Sequence, residues 1–506
     1  SISLIAIHQH EIPDHFPDEV ILAAEKAKPV ELGERTDLRH LPLFTIDPLD
    51  ARDHDDAICA LPDDDTNNPG GHIVWVAIAD VAYYVQPGSS LDIEARKRGN
   101  SSYFPDRVVP MLPDALSGNL CSLHEGVDRA CMAVQIKLNS KGVKLDHQFY
   151  RGIMCSPASL SYEQAQLAFD GKYDDATKPL ATALKDLFSA YKSAEKARDQ
   201  RQPLNLDLPE RKIVLSDEGK VLSVDFKNRL DAHKLVEEFM VTANVCAAET
   251  LEAVNESLLY RVHEEPTLEK LNALREVVEE SGFQLAKGQV LKTQHLNKLL
   301  AAAENSEDTE IINMMVLRSM SQAYYSPSSI GHFGLNLRRY AHFTSPIRRY
   351  ADLIVHRALI SAHKFGVDGL SLSEKDLLKE TGEWISATER RSMLAERDTS
   401  DRYLAAFLSD RIGVEFTGRI SGIAKFGLFV KLDESGADGI IPLSKLGREY
   451  WQYDDQERTL KGQDSGRVIS IGMSCKVSLV DATAITGGIS LEMLELEGKA
   501  IPKGSS

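Results

Sequence analysis

Thr45-Ile46-Asp47-Pro48-Leu49-Asp50-Ala51-Arg52-Asp53-His54-Asp55-Asp56-Ala57 places five aspartates within ten residues, directly after a strand-like run at Leu43–Ile46. Pro48 disfavours helical backbone at Asp47, so the stretch reads as a strand end entering a loop. Carboxylates crowded in this way repel one another and raise each other's pKa. A hard divalent cation relieves that repulsion, and an all-oxygen donor set suits Mg²⁺ or Mn²⁺ better than zinc. Such a cation can activate water and neutralise charge on a phosphoryl group. A calcium-binding loop does not fit, because the required glycine and closing glutamate are missing. An acidic, solvated turn is the competing reading.

Outward from this stretch, Ile73–Ile78 reads as a second strand, rich in β-branched residues and bounded by Gly71 and Asp80. Residues 1–36 mix short apolar runs with Pro, Asp and His and read as an entry segment. From Tyr162 the pattern turns largely helical, with helix-period apolar spacing over Leu230–Ala253, Thr267–Ser281 and Asn297–Ala323. Near Arg411 it changes again. Short glycine-punctuated strands from Phe416 to Leu491 predict a small barrel of the OB type.

The bulk properties narrow the class. A chain of 506 residues, 43% hydrophobic and 26% charged, is globular and too long for one ordinary domain. No apolar run reaches the length of a membrane span, and the N-terminus has no basic flank of a secretory signal. The six cysteines are scattered without a C-x-x-C pair, which disfavours zinc ribbons and a disulfide framework and suits a reducing cytoplasm. The absent initiator Met suggests a trimmed chain. Net charge is −18, yet Gly331–Lys364 carries +5, an anion-binding focus within an acidic shell.

That basic window contains Tyr340-Ala-His-Phe-Thr-Ser-Pro-Ile-Arg-Arg-Tyr-Ala-Asp352. Thr344 or Ser345 can cap a helix whose first turn holds Pro346, which predicts Arg348 and Arg349 at its N-terminus. The helix dipole disfavours cations there, so a bound phosphate is the natural counterpart. The alternative is a surface Arg348–Asp352 pair, which would contribute only ~0.3 kcal/mol.

Together the two stretches resemble the metal-binding segment and the signature of the RNB family of exoribonucleases, the RNase II and RNase R group. Val76-Ala-Ile-Ala-Asp-Val, Tyr103-Phe-Pro and Leu116-Ser…Leu120-Cys-Ser-Leu add local matches in the family's order. The resemblance implies an α+β architecture: an RNB catalytic domain over residues 37–408, with a mixed sheet and helices around an RNA channel. An OB-fold RNA-binding barrel of the ribosomal protein S-one type over 411–496 and a flexible tail over 497–506 would follow. It implies Asp47, Asp53, Asp55 and Asp56 as metal ligands, Asp55 as the aspartate essential for cleavage, and Arg348 as the group that stabilises the scissile phosphate. Tyr103 and Glu396 would position the terminal nucleotide, and Tyr162 would grip the RNA. Phe426 and Phe429 are candidate base-stacking residues of the barrel, core packing being the alternative. The implied activity is Mg²⁺-dependent 3′-to-5′ hydrolysis of single-stranded RNA, with Mn²⁺ a possible substitute, by a cytoplasmic monomer without an obligate protein partner. Departures are the family's stacking phenylalanine, which falls at Leu206, and the absence of N-terminal cold-shock barrels and a Lys-rich tail; both put tight RNA capture and duplex handling in question. A catalytically silent relative and a phosphodiesterase of small nucleotides are the other readings. The first would be expected to lose a metal aspartate or Arg348, and the second is disfavoured by the barrel.

Overall fold

The apolar, β-branched run His72–Ala79 forms an interior strand of a five-stranded sheet in the computed structural model, which describes residues 1–287 and 290–502. Sheet order is Thr36–Asp37, Lys144–Cys155, Asp128–Leu138, His72–Ala79, Asp56–Pro62, antiparallel throughout except for the parallel first pair. Val74, Val76, Ala77 and Ile78 are fully buried, because helices Ala181–Arg201 and Asp231–Ala253 contribute Leu184, Leu187, Leu235 and Phe239 to the same core. The two longest strands, Asp128–Leu138 and Lys144–Cys155, were not foreseen. Asn139 Oδ1 accepts from the N–H groups of Lys141 and Val143, and Gly142 turns the chain at φ 78° to make them a hairpin.

The expected strand at Leu43–Ile46 is shifted to Thr45–Asp47, where it pairs in parallel with Ser159–Ser161. Thr267 caps helix Leu268–Glu280 through Oγ1, which accepts from Lys270 N. The single helix expected over Asn297–Ala323 is two, Thr293–Ala303 and Thr309–Ser319. Asn305 takes a left-handed φ of 64° between them, and Ser306 Oγ donates to the Ala303 carbonyl. The helix expected to start at Thr344 or Ser345 begins instead at Tyr350 and runs to His363. Residues 344–349 form a tight turn, so Arg348 and Arg349 precede the helix.

Residues 1–36 contain helices Ile2–Gln9 and Asp18–Lys26. Ile7 and Ile12 pack with Phe104 and Ala395, while Val20 and Ala24 join the main core.

At the other end, helix Leu378–Leu408 leads into the barrel. Strands Asp438–Pro442, Gly427–Leu432, Glu415–Ala424, Ser474–Thr483 and Gly488–Leu496 pair in that order, and Ile440 against Ser490 closes the ring. A three-stranded insert, Trp451–Asp454, Thr459–Gly462 and Val468–Ile469, was not expected. The tail expected to be flexible carries a strand, Lys499–Ala500, paired on Glu495 and Leu496, with Ile501 buried; positions 503–506 lie outside the described residues. The architecture is α+β followed by a small barrel, as expected. No helix among the described residues is long and apolar enough to cross a membrane.

Candidate active site

Strand register brings the acidic stretch together. Asp47 ends its strand opposite Ser161, and Asp56 begins the edge strand of the main sheet opposite Ile78. Phe44 bridges to Ile58, so the two strands lie side by side with Asp47 and Asp56 at their ends. The loop between them folds back onto residues 118–124: His54 N–H donates to Ser122 Oγ (2.9 Å), and Leu123 N–H donates to the His54 carbonyl (2.9 Å). Asp55 is thereby buried, and its Oδ1 accepts the backbone N–H of Ile347 at 3.0 Å.

The carboxyls resist ionisation. Burial pushes Asp55 well above the usual carboxylate range, and neighbouring Asp53 and Asp56 add to this against the Ile347 N–H and the Arg348 guanidinium. Burial also raises Asp56, reinforced by Asp47, and raises Asp53, where Asp47 again contributes. His54 Nδ1 lies 2.8 Å from Asp47 Oδ2. Burial pulls this imidazole down, but Asp47, Asp53 and Asp56 together hold it above its ordinary value. No three His, Cys, Asp or Glu side chains form a ready-made metal cage among the described residues. The donor chemistry nonetheless fits a hard cation: Asp53, Asp55 and Asp56 lie together beside Asp47, and positive charge would lower the cost of ionising those three.

The two adjacent arginines divide their work. Arg349 Nε and Nη2 grip both oxygens of the fully buried Asp352 at 2.9 Å, and Asp352 Oδ2 also accepts Ser345 N–H at 2.7 Å. This clamp holds the turn in shape. The pairing considered between Arg348 and Asp352 is therefore not made; three-residue spacing from Arg349 suits the first helical turn better. The Arg348 side chain makes no hydrogen bond or ion pair among the described residues. Its charge instead opposes the burial penalty on Asp53, Asp55 and Asp56. The turn is anchored where the Arg348 carbonyl accepts Ser101 N–H (3.0 Å), two residues before Tyr103.

Tyr103 is 40% exposed, and its backbone N–H donates to Glu396 Oε1 at 2.7 Å. Burial raises its phenol and Arg348 opposes this, which sets Tyr103 beside the same cluster. Tyr162 starts a helix capped by Ser161, the residue in register with Asp47. Its ring stacks on His233 at 3.9 Å and 15°. Asp56 and Asp47 add to the burial that raises its phenol, so this aromatic platform also adjoins the carboxylates. His233 was not singled out from sequence, and only its tertiary position identifies it.

Phe426 and Phe429 stand apart from this cluster, on the barrel. Phe426 is 57% exposed at the tip between two strands and meets Phe429 edge-on at 5.7 Å. Phe429 leans over Gly422, whose missing side chain makes the room. Leu206, where an aromatic clamp would fall, is half-buried against the helical cluster containing Leu299 and Ile312.

The RNB domain family matches residues 35–364, and the S1 RNA binding domain family matches 409–494. Ribonuclease R of Escherichia coli (strain K12) is 40% identical over 483 residues, covering 92% of this chain and 59% of that protein. The chain thus spans about three fifths of the length of such curated relatives. The structure of Mycoplasma genitalium RNase R in complex with ribose methylated single-stranded RNA matches with a TM-score of 0.91 at 30% identity, over 97% of this chain and 77% of that one. Yeast Ssd1, a pseudonuclease, shares the fold at a TM-score of 0.66 and 20% identity, over 89% of this chain and 54% of that one.

Proposed function

This chain belongs to the RNB domain family, and from that premise we propose that it is a metal-dependent exoribonuclease that hydrolyses single-stranded RNA from the 3′ end to nucleoside 5′-monophosphates. What supports the reading is that Asp53, Asp55 and Asp56 lie within electrostatic reach of the Arg348 guanidinium, which pairs with no described residue, and that Asp47 ends the adjoining strand. Mg²⁺, or Mn²⁺ in its place, held by these four aspartates would polarise the phosphate and acidify the attacking water.

The rest of the work belongs to the chain's own groups. Water attacks the last phosphorus, and the 3′ oxygen of the preceding nucleotide leaves. Arg348 holds no side-chain partner among the described residues and would take the charge that builds on the phosphoryl oxygens, an interaction stronger in the transition state than in the ground state. Tyr103, braced by Glu396 through its backbone, is set to hold the terminal nucleoside. The Tyr162–His233 stack offers a flat face beside the carboxylates for a base or ribose near the chain end. Discrimination for RNA would come from contacts to the 2′-hydroxyl. Exposed Phe426, with Lys425 next to it in sequence and Lys445 in the turn whose Leu443 N–H donates to the Phe426 carbonyl, supports sequence-tolerant capture of the strand by the barrel. The relative solved with single-stranded RNA supports the substrate class. A cytoplasmic monomer is part of the same proposal.

A silent relative is the second reading, since a pseudonuclease shares the fold. Retention of all four aspartates and Arg348 favours activity. The test is a time course on 5′-labelled single-stranded RNA with Mg²⁺ and with chelator, and a dinucleotide as the competing substrate. Stepwise shortening of the labelled strand with mononucleotide release is expected. Internal cuts, exclusive use of the dinucleotide, or no Mg²⁺-dependent product would contradict the proposal.

A further inference from the structure

His54 occupies a place in the site that the proposed chemistry does not use. Its ring is buried, and Nδ1 lies 2.8 Å from Asp47 Oδ2. A carboxylate only accepts, so the hydrogen-bond network assigns the proton of this contact to Nδ1. Both backbone groups of His54 are tied down, the N–H to Ser122 Oγ and the carbonyl to Leu123 N–H. Ser122 is fully buried and donates onward to the Arg52 carbonyl at 2.7 Å. The ring meets His124 edge-on at 5.6 Å, and His124 Nε2 is fixed 2.7 Å from the Gly118 carbonyl. The segment 118–124 therefore acts as a brace that leaves the His54 imidazole one orientation, aimed at one oxygen of Asp47.

We propose that His54 is a positioning residue: by donating Nδ1–H to Asp47 Oδ2 it fixes the plane of that carboxylate, presents Oδ1 to a divalent cation, and so sets how tightly the cation is held. The inference rests on reading the four aspartates as the cation site. Neighbours that hydrogen-bond a ligating carboxylate orient it, and losing one weakens metal binding without removing a ligand. A role confined to folding predicts something different: stability would change and cation affinity would not.

The experiment measures Mn²⁺ affinity directly by electron paramagnetic resonance of the free ion, on the full chain without RNA. The variants are His54→Phe, His54→Asn and His54→Gln, each checked for fold by circular dichroism. Phe keeps a flat ring and removes the donor. The Asn amide nitrogen falls near Nδ1 and restores it, whereas the Gln amide reaches toward Nε2 instead. His54→Phe and His54→Gln should raise the Mn²⁺ Kd ~10–100-fold, with His54→Asn within about threefold of the parent. Parent-like affinity in His54→Phe, or equal affinities in the Asn and Gln variants, would overturn the inference. If His54→Phe does not fold, the Asn and Gln pair decides alone. A parent protein that binds no Mn²⁺ would overturn the cation reading itself, and this inference with it.

Discussion

Two of the buried clusters of aspartate and arginine in the main body have opposite characters. In the first, Asp80 takes Arg35 Nη2 and Arg151 Nε, each at 2.8 Å, and Arg151 forks onward to both oxygens of Asp368 at 2.6 and 2.8 Å. Burial pushes Asp80 up, but the two guanidiniums outweigh it and hold the carboxyl down at about 2. In the second, Asp53, Asp55 and Asp56 are all pushed up and face a single arginine that grips none of them. The first cluster is a closed ion network that ties the sheet to the loop after helix Tyr350–His363. The second is left short of positive charge. Buried charge without an internal partner marks a place where something from outside completes the balance.

Breaking the second cluster should have the largest effect. Asp55→Asn keeps the acceptor for Ile347 N–H but removes a charge, and should slow cleavage at saturating RNA by roughly a thousandfold or more, a barrier change of about 4 kcal/mol. RNA affinity measured by anisotropy should stay within severalfold. In the first cluster the effect should fall on stability. Arg151→Met leaves Asp368 and half of Asp80 unpaired, and a loss of about 3–5 kcal/mol is expected in urea melts. Turnover per folded molecule should be unchanged. The sign with pH follows from a depressed carboxyl: the Asp80 contribution is fully present above its ordinary value of 3.8 and is lost as pH falls through about 2. Acid melts of the parent should show that limb, weakened in Arg151→Met.

Arg348→Ala should lower kcat by about a hundredfold, near 3 kcal/mol, with a smaller change in KM. A rise in KM alone would make Arg348 a binding residue. Smallest is the effect on the barrel. Phe426→Ala should weaken binding of long single strands by about 1–3 kcal/mol and spare single-turnover cleavage of a short oligomer. Deleting the barrel outright would be a poorer test than the notion of separate modules suggests. Ile213 and Val224 of the RNB domain pack on the barrel's core, and Arg211 donates to the carbonyls of Asp433 and Glu434.

The acidic half of the site was legible because its aspartates are near neighbours in the chain and follow a strand. Arg348 was legible as part of a motif, but for an incomplete reason. A capping residue and Pro346 suggest a helix start, whereas Asp352 captures Ser345 N–H and Arg349 and makes residues 344–349 a turn instead. The support that Ile347 N–H gives Asp55 was invisible, since any residue carries that donor. His233 beneath Tyr162 depends on two helices meeting, and no local pattern announces it. Among the folds, the apolar run at residues 72–79 declared itself, while Asp128–Leu138 mixes buried and polar positions that local pattern does not resolve. The break at Asn305 turns on one left-handed residue inside otherwise helical spacing.

The contrast between the clusters reduces to one paired measurement, urea unfolding at neutral pH in chelator of Asp55→Asn and Asp80→Asn against the parent. The same loss of charge should act with opposite sign. At position 55, where burial resists ionisation, the neutral amide escapes that cost, and the midpoint should rise. At position 80 it strips Arg35 of its carboxylate partner and Arg151 of one of its two, and the midpoint should fall. Destabilisation of similar size at both positions would show that the aspartate cluster is already balanced from within, and would contradict the account.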